Sequence, residues 1–264
     1  MKYPRVLTIA GSDSGGGAGI QADIKAITAT GSYAASAITA VTVQNTLGVE
    51  SVFPIPTDVI SAQIECVLSD IGADAVKIGM LHSAKVVKSV ATSLDKFNIT
   101  NIVLDPVMVS TSGHRLIEES AIQTLMDCLI PKSRVITPNI PEAEILVGKR
   151  IKSQEELPIV AQQLSMEGKI SVLMKAGHLE EDDLVDYFYN AEEDHIIELR
   201  SKRQYTRNTH GTGCTLSSAF ASYLAQGFGL DESARLAKQY ITKAINKGAD
   251  YEIGKGHGPV FFQV

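Results

Sequence analysis

Tryptophan is absent, and aromatic residues make up only 6% of the chain. Cysteine occurs three times in 264 residues, at Cys66, Cys128 and Cys214. The three are far apart, odd in number and form no C-x-x-C. That excludes a disulfide framework and a Cys-rich zinc site, and it fits a reducing compartment. The six histidines form no H-E-x-x-H, which removes the zinc-hydrolase pattern. No apolar run approaches the roughly 18 residues that a membrane span needs. The apolar stretch Val6 to Ala10 is too short for the core of a secretory leader. A membrane partner is therefore not expected, and the cytoplasm is the expected location. Basic charge is scarce as well: 24 Lys plus Arg stand against 30 Asp plus Glu, a net charge of -6. With no surplus to neutralise a phosphate backbone, nucleic acid is not expected as a partner.

What is present is an ordinary globular balance, 44% apolar and 20% charged. At about 150 residues per domain the length suits one large domain or two small ones. No linker, low-complexity tract or internal repeat divides the chain, so a single domain spanning 1–264 is expected. Short β-rich runs alternate with helical patterns. Strands are expected at Val6–Ala10, Ala37–Val43, Ala75–Ile78, Ile102–Leu104, Arg134–Thr137 and Ser171–Lys175. Helices are expected at Ile20–Ala29, Val59–Leu68, Ala84–Phe97, Glu118–Leu129, from Glu142, and at Gln154–Met166. This βαβα rhythm predicts an α/β fold with a mostly parallel sheet covered on both faces. After Lys175 the rhythm changes to a hairpin, Asp186–Tyr189 with Ile196–Arg200. Two helices follow, near Thr215–Gln226 and Glu232–Lys247. The acidic run Glu180-Glu181-Asp182-Asp183 reads as a solvated turn.

Two glycine-bearing turns stand out. Gly11 to Gly19 holds five glycines in nine positions between the first strand and the first helix. It fails the P-loop test, because Gly17 and Ala18 stand where Lys and a hydroxyl residue are required. Gly17-x-Gly19-x-x-Ala22 fits the loose dinucleotide fingerprint. The acid that should follow the second strand is missing, however, since that strand ends Thr42-Val43-Gln44-Asn45. The second turn, Thr209-His210-Gly211-Thr212-Gly213-Cys214, precedes an apolar helix. Its free backbone N–H groups and the helix dipole make it an anion site. Cys214 in that first turn is expected to have a depressed pKa and to supply a thiolate base. Cys66 and Cys128 read as small buried hydrophobes.

These turns occur in order with other short motifs: GSDSGGGAGIQAD (Gly11 to Asp23), TAVTVQNTLGV (Thr39 to Val49), KIGML (Lys77 to Leu81), Asp105-Pro106-Val107-Met108, Thr137-Pro138-Asn139-x-x-Glu142, and Thr209 to Cys214. Together they resemble the hydroxymethylpyrimidine/phosphomethylpyrimidine kinases of thiamine synthesis, within the ribokinase superfamily, over almost the whole chain. The resemblance implies a ribokinase-like three-layer αβα sandwich, ATP with Mg²⁺, two successive phosphoryl transfers, and a homodimer. It places Gly11, Asp23, Gln44, Met80 and Val107 around the pyrimidine, where the Gln44 amide offers a donor and an acceptor. Asn139, Lys175, Thr209, His210 and Gly211 fall on the nucleotide side, and Glu142 and Asp105 on the metal, whose preference is for oxygen ligands. It makes Cys214 the base, with Gly211, Gly213 and Lys175 completing the catalytic set. Lys175-Ala176-Gly177-His178 departs from the usual Lys-Gly-Gly-His at Ala176, which puts the local backbone in question. Pyridoxal or pyridoxine phosphorylation on the same scaffold is the alternative.

Overall fold

The computed structural model describes residues 2–109, 116–177 and 181–264. His178 and Glu180, singled out above, lie outside the described residues. Nine strands of the described residues form one sheet, in the order β3-β2-β1-β4-β5-β6-β7-β8-β9. The strands are β1 (Arg5–Asp13), β2 (Tyr33–Asn45), β3 (Gly48–Pro54), β4 (Ala75–Ile78), β5 (Ile102–Leu104), β6 (Val135–Ile136), β7 (Ser171–Met174), β8 (Asp183–Asn190) and β9 (His195–Lys202). Pairing is parallel from β2 through β7. It is antiparallel at both edges, where β3 joins β2 and the β8–β9 hairpin follows β7. The helices are α1 (Gly19–Ala29), α2 (Thr57–Asp70), α3 (Ala84–Leu94), α4 (Glu119–Cys128), α5 (Ile140–Val147), α6 (Leu157–Leu164), α7 (Thr212–Ala225) and α8 (Leu230–Gly248). The expected strand–helix alternation is therefore observed, with β3 as the strand that sequence patterning did not reveal.

Alternation along each strand sorts the core into two layers. Leu7, Ile9, Val76, Ile78, Ile102 and Leu104 pack with residues of α2 to α6 on one face. Val6, Ala75, Val103 and Leu173 pack with α1, α7 and α8 on the other. That second face also carries three buried polar residues, Thr8 and Lys77 within strands and Asp105 directly after β5. Strand order reverses where β1 sits between β2 and β4. In open parallel sheets such a reversal opens a crevice at the carboxyl ends of the strands. Here those ends deliver Gly11, Met80, Asp105, Asn139 and Lys175 to one side of the sheet.

Candidate active site

The crevice is a cavity of about 900 Å³. Gly11, Gln44, Met80 and Val107 line it, together with Asp105, Asn139, Glu142 and Lys175. Thr209, His210, Gly211, Gly213 and Cys214 line it as well. Every residue that the sequence placed in the site lines this cavity except Asp23.

The two glycine turns meet directly. Gly211 caps α7 in the left-handed region at φ 78° without a side-chain cap, and a Cβ there would collide with the Gly17 carbonyl oxygen. Only glycine permits both the backbone angle and this approach. The first turn does not offer its amides to a ligand, because Asp13 takes them. The Asp13 carboxylate accepts the N–H groups of Gly15 at 2.8 Å, Gly17 at 3.1 Å and Ala18 at 2.8 Å. It also faces His210 Nε2 at 2.9 Å. Gln44 Nε2 stands 3.3 Å from that same nitrogen, and Thr42 Oγ1 donates to Gln44 Oε1 at 3.1 Å. His210, expected to serve phosphates, thus spends Nε2 on holding the two turns together. The D-x-G spacing was the available signal for Asp13, since such carboxylates close their own turn.

On the other flank, Asp105 Oδ1 accepts from Lys175 Nζ at 2.8 Å and from Thr137 Oγ1 at 2.9 Å. Burial pushes the Asp105 carboxyl up, but the charges of Lys175 and Lys77 prevail and hold it below the usual carboxylate range. Glu142 Oε2 lies 4.0 Å from Lys175 Nζ. Burial raises the Glu142 carboxyl to about 7, the Asp105 charge adds to the rise, and Lys175 restrains it. Asn139 and Glu142 form a reciprocal capping box at the start of α5, with bonds of 2.8 and 2.9 Å. Their motif spacing therefore serves the helix as well as the cavity. A Cβ on Gly213 would sit 3.2 Å from Lys175 Nζ and 3.5 Å from Asp105 Oδ2. The bare glycine leaves room for a group between α7 and these charges. Two carboxylates, that of Glu142 raised chiefly by burial and that of Asp105 held low by Lys175 and Lys77, form an oxygen-only donor set that fits Mg²⁺.

Three expectations need correction. Asp23 is fully buried beneath the cavity and does not line it. Lys77 Nζ donates to both its oxygens at 2.8 and 2.9 Å, Ser218 at 2.8 Å and Thr8 at 2.5 Å. Lys77 was the residue missed. A lysine inside the apolar strand Ala75-Val76-Lys77-Ile78 requires a buried partner, and that was a legible signal. Cys214 is not a low-pKa thiol. Burial raises it to about 11, and although Lys77 pulls the other way, Asp23 and Asp105 reinforce the rise. The helix start and its backbone N–H groups do not offset that desolvation, so the thiol stays protonated at neutral pH in the ligand-free site. Cys66, expected to be buried, is exposed. Ala176, by contrast, raises no difficulty. It is fully buried, its N–H is accepted by Asp186 Oδ1 at 2.8 Å, and it is not among the residues with positive φ.

Comparison with known proteins agrees with the α/β fold. Residues 13–261 match the family model described as phosphomethylpyrimidine kinase. The chain is 46% identical over 260 residues to a thiamine biosynthesis bifunctional protein of Geobacter sulfurreducens, covering 98% of this chain and 52% of that protein. It thus spans about half the length of this larger relative. It is 45% identical over 255 residues to the hydroxymethylpyrimidine/phosphomethylpyrimidine kinase of Rhizobium meliloti, covering 96% and 95% of the two chains. Among solved structures it resembles the pyridoxal kinase of Staphylococcus aureus in complex with AMP-PCP and pyridoxal, at TM-score 0.90 and 32% identity, over 100% and 94% of the chains. The fold, the motif order and the full-length similarity converge, and the chain belongs to the phosphomethylpyrimidine kinase family.

Proposed function

We propose that this chain transfers the terminal phosphoryl group of ATP to 4-amino-5-hydroxymethyl-2-methylpyrimidine, and then phosphorylates the monophosphate to the diphosphate, for thiamine biosynthesis in the cytoplasm. One observation carries the reading. The first turn of α7 is flanked on one side by Gln44, through His210, and on the other by Lys175 and Asp105, through Gly213. An alcohol held by the ring-reading side thereby lies beside the charges that receive phosphates.

Gln44 presents amide groups to the ring, and Gly11 and Met80 pack so closely that a Cβ on Gly11 would lie 2.5 Å from Met80 Cε. That leaves a flat slot suited to an aromatic ring. Lys175 and the α7 amides stabilise charge on the transferred group, which is most of what phosphoryl transfer requires. Asp105 and Glu142 would hold Mg²⁺, which when bound neutralises phosphate charge. The alcohol oxygen forms the new bond to phosphorus as the bridging bond to the nucleoside diphosphate breaks; the hydroxyl proton passes to Cys214 Sγ after that thiol has released its own proton to solvent, and otherwise directly to solvent. The second acceptor is already anionic and has no such proton to lose.

Product analysis with ATP, Mg²⁺ and the hydroxymethylpyrimidine tests this. The monophosphate should appear first and the diphosphate second. In the same assay Cys214→Ala should slow the first transfer about 100-fold, the lower range for proton-transfer assistance, and the second by no more than about threefold. Equal losses in the two steps would remove the proton-handling role. Pyridoxal phosphorylation is the second reading, favoured by the likeness to the pyridoxal kinase above, and pyridoxal run side by side decides between them.

We also propose a homodimer joined through the β2–β3 edge. Val41, Val43 and Phe53 are 42%, 52% and 68% exposed, and Val41 lies opposite Phe53 across the pair. Sedimentation should give a dimer for the native chain and a monomer for Phe53→Asp. A native monomer would remove the proposal. No helix among the described residues is long and apolar enough to cross a membrane.

A further inference from the structure

We propose that His210, held by Asp13, is a positioning residue that fixes which way round the Gln44 amide points, and so selects the hydrogen-bonding polarity of the ring the cavity accepts. The proposal rests on the kinase function above and extends it to specificity.

The argument is one of proton placement. Asp13 carries three backbone N–H bonds besides His210. Although burial alone would raise its carboxyl, His210 first, and then the Ala18 and Gly15 amides, hold it below its ordinary value. An ionised carboxylate only accepts. His210 Nε2, 2.9 Å away, must therefore carry a proton and donate it to Asp13 Oδ2. As the side chain stands, Gln44 turns Nε2 to that same nitrogen at 3.3 Å, so two donors face each other. The two ends of a primary amide have the same shape, and their assignment follows from the surrounding donors and acceptors. Turning the amide about its last bond resolves the conflict. Oε1 then shares the single His210 N–H with Asp13 Oδ2 as a three-centre bond. Nε2 donates to Thr42 Oγ1, whose own proton goes to the Ser12 carbonyl at 3.0 Å. No donor in the chain from Asp13 to Ser12 then faces another donor.

The consequence reaches the substrate. With one lone pair of Oε1 facing His210 and one proton of Nε2 on Thr42, the amide keeps one donor and one acceptor for the cavity, in a fixed order. The hydroxymethyl group must point toward the α7 turn, so the ring cannot turn over to suit the opposite order. A ring bearing an exocyclic amine beside that arm and a ring bearing a hydroxyl or oxyanion there make opposite demands on such an amide. The Asp13–His210 pair therefore favours one of the two acceptor classes through the Gln44 amide.

The test compares wild type, His210→Leu and His210→Gln with the hydroxymethylpyrimidine and with pyridoxal, at saturating ATP and Mg²⁺. Loss of the N–H in the Leu variant should raise KM for the aminopyrimidine about tenfold, roughly the effect of one weakened hydrogen bond. kcat should stay within about threefold, and the preference over pyridoxal should shrink. The Gln variant, whose amide nitrogen can occupy the Nε2 position, should restore both. Unmoved KM in His210→Leu, or no rescue by a folded His210→Gln, overturns the proposal. Nitrogen NMR of the ¹⁵N-histidine-labelled wild type gives a check independent of the variants. A proton on His210 Nε2 is expected, and an unprotonated Nε2 overturns the assignment. A wild-type chain that phosphorylates neither acceptor overturns the functional reading underneath; an active wild type with unmoved KM overturns this proposal alone.

Discussion

Lys77→Met should lower the stability of the protein by about 3–5 kcal/mol, the range for removing one member of a buried ion pair. Both side chains of the Lys77–Asp23 pair are 0% exposed. Without the ammonium, the Asp23 carboxylate keeps only the Thr8 and Ser218 hydroxyls in a site closed to water. The loss measures the stranding of that charge and is not the net worth of the pair. The double variant Lys77→Met/Asp23→Leu should therefore regain most of the stability, because an apolar pair of similar volume leaves no charge to desolvate. Guanidinium unfolding curves read at constant slope give the difference. A single variant within 1 kcal/mol of wild type, on the order of a surface substitution, would show that Asp23 is not a buried anion dependent on Lys77.

Lys175→Met should reduce kcat by about 10²–10³, the usual effect of deleting one charge-stabilising donor, while KM for the pyrimidine moves little. The Lys175 side chain is 13% exposed, and its ammonium stands between Asp105 and Glu142. Arginine should not restore activity. A planar guanidinium cannot replace a compact ammonium seated between Asp105 and Glu142. The pH dependence should change as well. Glu142 is protonated below about 7, raised chiefly by burial, and Lys175 is the charge that restrains the rise. Removing Lys175 lifts this pKa further, so the carboxylate needed for a cation forms only at higher pH. Residual activity of the variant should therefore climb toward alkaline pH over a range where wild type is level. Near-native kcat with an unshifted profile would remove Lys175 from the transfer step.

Much of this site was readable before any fold was known. The Gly211 to Cys214 turn, Lys175 after an apolar strand and Asp105 after another were visible because strand ends and helix starts are marked locally by β-branched runs and glycines. The β3 edge strand escaped because Val52 and Phe53, which point to opposite faces, are both exposed, so no buried alternation marks it. The role of Asn139 and Glu142 was only half visible. Their three-residue spacing announces a helix cap, while the resemblance assigns Asn139 to the nucleotide and Glu142 to the metal; the two side chains form that cap and also line the cavity.

The sequence by itself determined the alternation of strands and helices, the two glycine turns, and the motif order that places the chain in its family, since each of these depends on neighbours along the chain. Only the tertiary structure decided who is charged and who is paired. Asp23 meets Lys77 from 54 residues away and Ser218 from 195, and His210 meets Asp13 from 197. Desolvation and partner distance set protonation, and both arise only when distant segments pack. That is why a thiol at a helix start, expected to ionise, is held neutral, and why amides of the first glycine turn are taken by a carboxylate of its own chain.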